Sequence, residues 1–222
     1  MSFNGGLVRQ RFILETLEVL SLLSASQVKY LLFNHNESKY AKWKARERLR
    51  WWVSQGYIKR GRCSLSNEYV YWLKSKPENM EHALLVSWVY VYLRENISEF
   101  QIEFNCNDKL IADAYFAYKG KPYFLELHRV ANKTPLTHKI RKYTDYAESE
   151  KWLDENWLGD SQFAKLIIVC DGNAEKIRSV VKKENKAGLR IQVLTLEELA
   201  ENPNIIEDTV INISKLIKEV VQ

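Results

Sequence analysis

Asp113 and Glu126 are the residues whose type and spacing point most directly to chemistry. They stand in two strand-like runs, Leu110 to Tyr118 and Pro122 to His128, joined through Lys119-Gly120. A two-residue loop at that point sets Asp113 directly opposite Glu126; a four-residue loop that takes in Pro122 sets Asp113 opposite His128, with Glu126 on the diagonal. Side chains alternate with period two, so either register puts Asp113, Glu126 and His128 on one face. Opposed carboxylates lie about 5 Å apart at Cβ and repel. The flanking Ile111, Ala112, Tyr115, Phe124 and Leu127 make that repulsion costly, so a cation must offset it. A divalent metal, Mg²⁺ or Mn²⁺, held by Asp113 and Glu126 is one solution. An ion pair with Lys109, Arg129 or Lys139 is the other. With metal the site suits phosphodiester hydrolysis, with His128 as a base near neutral pH and Lys139 supplying positive charge from the next helix.

A second pattern suits binding. Lys39, Trp43, Arg46 and Arg50 recur at steps of three and four between Ser38 and Ser54, with Lys42 beside them. On a helix they form a stripe opposite the apolar Ala41, Ala45, Leu49, Trp52 and Val53. Lysine and arginine on such a stripe can anchor phosphates and read guanine edges, which makes double-stranded DNA the expected partner. The plainer alternative is a solvated basic face.

The elements that must carry these two patterns fall in parts of opposite charge. Residues 1–76 hold 14 Lys+Arg and 5 Asp+Glu, a net +9, and residues 77–222 hold 19 and 23, a net −4. A basic domain beside an acidic one is expected where the first docks on a polyanion and the second has another task. In the first, apolar residues at helical spacing run from Val8 to Leu23; Ser24 or Ser26 can cap a short helix to about Phe33; and the basic helix ends before Gly56. Two extended runs follow, Tyr57 to Arg60 and Glu68 to Leu73. Three helices and a two-stranded ribbon spell a winged helix-turn-helix over 1–76. Pro77, suited to the first turn of a helix from Glu78 to about Glu95, marks the boundary. From there the order is helix, three strands, helix, strand, helix, strand and terminal helices, so 77–222 reads as a mixed sheet with helices on its faces. The fold class is α/β, or α+β over the whole chain.

Cys63, Cys106 and Cys170 lie too far apart for a CxxC zinc ribbon, and their odd number argues against a disulfide framework and for a reducing compartment. The opening Met1 to Gly6 lacks a basic stretch leading into an apolar core, and the apolar run Val86 to Leu93 is too short to span a bilayer. A cytoplasmic protein with no membrane partner is expected.

Ile111-Ala112-Asp113-Ala114-Tyr115-Phe116, followed by Phe124-Leu125-Glu126-Leu127-His128, resembles the Asp…(Asp/Glu)-x-Lys signature of restriction-endonuclease-like folds. His138-Lys139-Ile140-Arg141-Lys142-Tyr143 resembles the Lys/Gln-x-x-x-Tyr element that follows that signature in some of them. Together with Ala45 to Arg60 and the helix beginning Glu81-His82-Ala83-Leu84, the chain resembles the replication-relaxation family over most of its length to about residue 150. The resemblance implies a winged helix joined to a restriction-endonuclease-like domain in a protein of plasmids or mobile elements. It implies a role in replication, relaxation or mobilisation, with replication or mobilisation proteins or a second copy of the chain as further partners. It also implies a metal-dependent DNA endonuclease with Asp113 and Glu126 as metal ligands. The departure is His128, which stands where an active enzyme of this kind carries lysine. That departure keeps open an alternative, a transcriptional or replication regulator whose nuclease-like domain is inactive and serves dimerisation or partner binding.

Overall fold

A computed structural model describes residues 3–33, 39–107, 109–129, 135–154 and 162–207. These residues form two compact units. One comprises the described residues up to Arg94 together with Phe100–Ile102, and the other comprises the rest. No helix among the described residues is long and apolar enough to cross a membrane.

The first unit contains α1 (Phe3–Leu20), β1 (Leu23–Ser24), α2 (Ala25–Phe33), α3 (Lys39–Ser54), β2 (Lys59–Arg62), β3 (Tyr69–Trp72) and α4 (Met80–Leu93). Helix α2 starts at a reciprocal cap, in which the Gln27 amide donates to Ser24 Oγ and the Ser24 amide to Gln27 Oε1. Helix α3 stops at Gly56, whose φ of +75° a side chain would disfavour. There the Tyr57 amide reaches back to the Trp52 carbonyl and the Gly56 amide to that of Val53. Ile13, Leu17, Val28, Ala45, Leu49 and Trp52 are buried together in one core. The ribbon expected from sequence has a third strand, because Leu23 and Ser24 pair with Tyr71 and Val70, and the sheet order is β1-β3-β2.

The domain boundary expected at residue 76 also shifts. Helix α4 is apolar around its circumference and belongs to the first unit. Its Leu84 packs with Leu22, Val70 and Trp72, and its Val91 joins the core of Leu17 and Trp52. Asn79 caps it by accepting from the His82 amide, so Pro77 lies outside the helix.

The second unit is built on a five-stranded sheet in the order β4-β5-β6-β7-β8. Its strands are β4 (Ile97–Asn107), β5 (Leu110–Tyr118), β6 (Lys121–His128), β7 (Lys165–Cys170) and β8 (Ile191–Thr195). Strands β5 and β6 are antiparallel, and β6, β7 and β8 are parallel neighbours. Helix α6 (Ala174–Glu184) makes the crossover from β7 to β8, as a parallel connection requires, and the short α7 (Leu196–Glu201) follows β8. The mixed sheet expected from sequence is therefore present. Of the terminal helices expected after β8, α7 is the first, and residues beyond 207 lie outside the described residues. Helix α5 (Leu136–Glu148) buries Leu136, Ile140, Tyr143 and Tyr146, a stripe at steps of three and four, in the core that contains Phe124 of β6.

Candidate functional site

The β5–β6 hairpin turns through Lys119 (φ +48°) and Gly120 (φ +76°), the two left-handed positions of a two-residue loop. Tyr118 pairs with Lys121 and Ala114 with Leu125, which is the shorter of the two registers that the sequence allowed. One step further along that register Asp113 faces Glu126. Both lie on the side of the sheet that carries Tyr115 and Phe124, and α5 covers that side, with the Phe124 and Tyr143 rings 5.4 Å apart.

Glu126 is 1% exposed. Its Oε1 accepts from the Tyr143 hydroxyl at 2.9 Å, and its Oε2 is paired with the Lys139 ammonium. Asp113 Oδ2 accepts from the Leu127 amide at 2.7 Å, and Asp113 Oδ1 lies 3.6 Å from Lys139 Nζ. Lys139 thus stands between the carboxylates as the cation that the sequence required. Burial and the neighbouring Asp113 push the Glu126 carboxyl up to about 8, against the pull of Lys139 and Tyr143. Burial penalises the Lys139 ammonium, but the two carboxylates outweigh it and hold the amine above its ordinary value. Burial raises the Tyr143 hydroxyl well above 10, so it stays a donor.

The expected catalytic set is therefore joined only in part. Asp113, Glu126 and Lys139 form one network, and Tyr143 completes it. His128 stands outside: among the described residues no hydrogen bond joins its ring to the other three, and its carbonyl accepts from the Asp171 amide. Burial lowers its imidazole below 6.5, and Lys139 adds to that effect against Asp171. A divalent ion held by Asp113 and Glu126 does not fit this arrangement. All four carboxylate oxygens face donors, and the place between them holds an ammonium. Among the described residues no group of three or more His, Cys, Asp or Glu is placed to hold a metal ion.

In the first unit, Lys42, Trp43, Arg46 and Arg50 of α3 lie on its partly exposed side. The Lys39 side chain is outside what the structure describes. Trp43 is 55% exposed and stacks on Tyr40, with ring centroids 5.9 Å apart. What α3 faces does not follow from its own sequence. In β2, period-two alternation turns Arg60 and Arg62 to one side, where they pair across the ladder with Tyr71 and Tyr69. Both guanidiniums lie over the Tyr69 ring, at 4.7 and 5.6 Å from its centroid. Gly61 between them lies against Trp72, where a Cβ would approach the ring within 2.9 Å. The signal was Lys59-Arg60-Gly61-Arg62, a basic alternation obscured because the strand was expected two residues earlier. Arg46, Arg50 and Arg62 line a cavity of about 280 Å³ with Tyr69, Tyr71 and Glu68. Glu68 pairs with Lys42 at 2.7 Å and with Arg46 at 3.5 Å.

No family model matches the chain, and no curated protein does. Among solved structures, protein VC1899 from Vibrio cholerae aligns with TM-score 0.37 and 9% identity over 78% of this chain. The aligned part is 43% of that protein, and a likeness at this level does not fix a fold.

Proposed function

We propose that the chain binds double-stranded DNA through α3 and the β2–β3 ribbon, and that its carboxylate cluster holds the second unit together without cutting the DNA. The observation that supports DNA binding is the gathering of Arg46, Arg50, Arg60 and Arg62 around Tyr69 and Tyr71, with Glu68 the acidic residue lining their cavity. Like charges collected on an accessible surface repel one another. A polyanion relieves that cost and gains from the release of its own counterions. The contacts of Lys139 with both Asp113 and Glu126 favour the regulator among the two readings over the metal-dependent endonuclease, because hydrolysis needs carboxylate oxygens open to metal. On the motifs that resemble those of replication-relaxation proteins, we propose that such a regulator acts in the replication, relaxation or mobilisation of a plasmid or mobile element, in the cytoplasm.

The test is an anisotropy titration of a labelled duplex against the full chain, with a plasmid-nicking assay in Mg²⁺ and in Mn²⁺. The wild type is expected to bind and leave the plasmid intact, and R46A/R50A to bind at least about tenfold more weakly at moderate salt. Equal binding by a correctly folded R46A/R50A removes α3 from the interface. Metal-dependent nicking that is lost in D113A restores the endonuclease reading.

A further inference from the structure

Glu68 is held by more donors than an ordinary surface glutamate. Its Oε1 accepts from Ser26 Oγ at 2.9 Å and lies 2.7 Å from Lys42 Nζ and 3.5 Å from Arg46. Its Oε2 accepts from the Ser26 amide, at the start of α2, at 3.2 Å. The side chain is 13% exposed, at the edge of the cavity that Arg46, Arg50 and Arg62 line. Burial by itself would raise this carboxyl, but Lys42 and the two Ser26 donors outweigh it, so it stays ionised at neutral pH.

The donors around Glu68 are those that bind phosphate elsewhere: a main-chain amide and a hydroxyl at a helix start, an ammonium and a guanidinium. Here a carboxylate from the ribbon fills the position. The charges are unequal across the cavity. Lys42 and Arg46 are engaged by Glu68, whereas Arg50 has no ion pair among the described residues, and Arg62 lies on the face of Tyr69.

We propose that this cavity is the seat of one DNA backbone phosphate and that Glu68 is its resident substitute, which the phosphate must displace or share donors with. This rests on the reading that the α3 and ribbon surface binds DNA. A phosphate that only brushes the surface gains from Arg50 and Arg62 but not from Lys42 and Arg46. A backbone that seats a phosphate in the cavity gains from all four. A phosphate seated in the cavity must compete with Glu68 for Lys42 and Arg46, so Glu68 weakens seated contact more than loose contact and limits the affinity that the cavity supplies.

The experiment compares the wild type, E68Q and E68A by anisotropy titration of a labelled duplex between low and moderate salt, with circular dichroism to confirm folding. E68Q keeps an acceptor for Ser26 while removing the charge, and E68A removes both. Both variants are expected to bind about three- to tenfold more tightly at moderate salt, and the slope of log affinity against log salt to steepen by about 0.9, the value of one added phosphate contact. Adding R50A to E68Q should remove that gain. Folded E68Q and E68A with wild-type affinity and slope, or with weaker binding, overturn the proposal while leaving DNA binding by the surface standing. A wild type that binds no duplex overturns the reading beneath it as well.

Discussion

Each unit of this protein sets lysine or arginine against carboxylate, and the two settings differ in what is left over. In the second unit Lys139 is shared by Asp113 and Glu126, and Tyr143 and the Leu127 amide occupy the remaining oxygens, so the network closes on itself beneath α5. In the first unit Glu68 engages Lys42 and Arg46, while Arg50, Arg60 and Arg62 remain around the same tyrosines. The same kinds of charge thus produce a structural ion pair in one place and a surplus facing outward in the other. Pairing and burial, more than the identity of the residues, decide whether a charged cluster is available to a ligand.

The largest effect that should separate the two settings follows from Lys139. Above pH 8, where Glu126 is ionised, replacing Lys139 by glutamine leaves two carboxylates sharing a buried face without their cation, and K139Q should lose about 3 kcal/mol in urea unfolding of the full chain at pH 9. Mn²⁺ should recover part of that loss in K139Q and leave the wild type unchanged, because only the variant vacates the place between Asp113 and Glu126. An unfolding curve for K139Q that overlays the wild type would show that the ion pair does not hold the unit together.

A smaller effect follows from Glu126. Its carboxyl titrates near 8 in the folded chain and near 4.5 when unfolded, so over that interval the folded chain holds a proton that the unfolded chain has lost, and stability falls as pH rises. Between pH 7 and 8 the expected loss is about 1 kcal/mol. In that window the lowered His128 is neutral in the folded chain and mostly neutral in the unfolded one, and the raised Lys139 is charged, so neither reverses the trend. E126Q should show a flat profile. A wild type whose stability rises from pH 7 to 8 would contradict the assignment.

These contrasts were legible in the sequence to different depths. The register of Asp113 and Glu126 could be read because Lys119-Gly120 permits a tight turn, and the need for a cation followed from two carboxylates among apolar neighbours. That Lys139, rather than Lys109, Arg129 or a metal, supplies it depends on how α5 lies over the sheet, which Ile140, Tyr143 and Tyr146 set through packing. Helix α3 and its stop at Gly56 were equally plain. Glu68 was not, since its partners Ser26, Lys42 and Arg46 lie far from it in the chain and only the fold of the ribbon brings them together. The boundary was misplaced for a related reason: α4 is apolar on every side, so its sequence does not say which unit it joins.

The most direct test of the outward surplus is the salt dependence of duplex binding by the full chain in EDTA, where no divalent ion can contribute. Phosphate contacts by Arg50, Arg60 and Arg62, with Arg46 engaged by Glu68, predict a log affinity that falls against log salt with a slope of about −2 to −3. Binding with a slope near zero, or no binding at about 50 mM salt, would contradict the assignment of this surface to DNA.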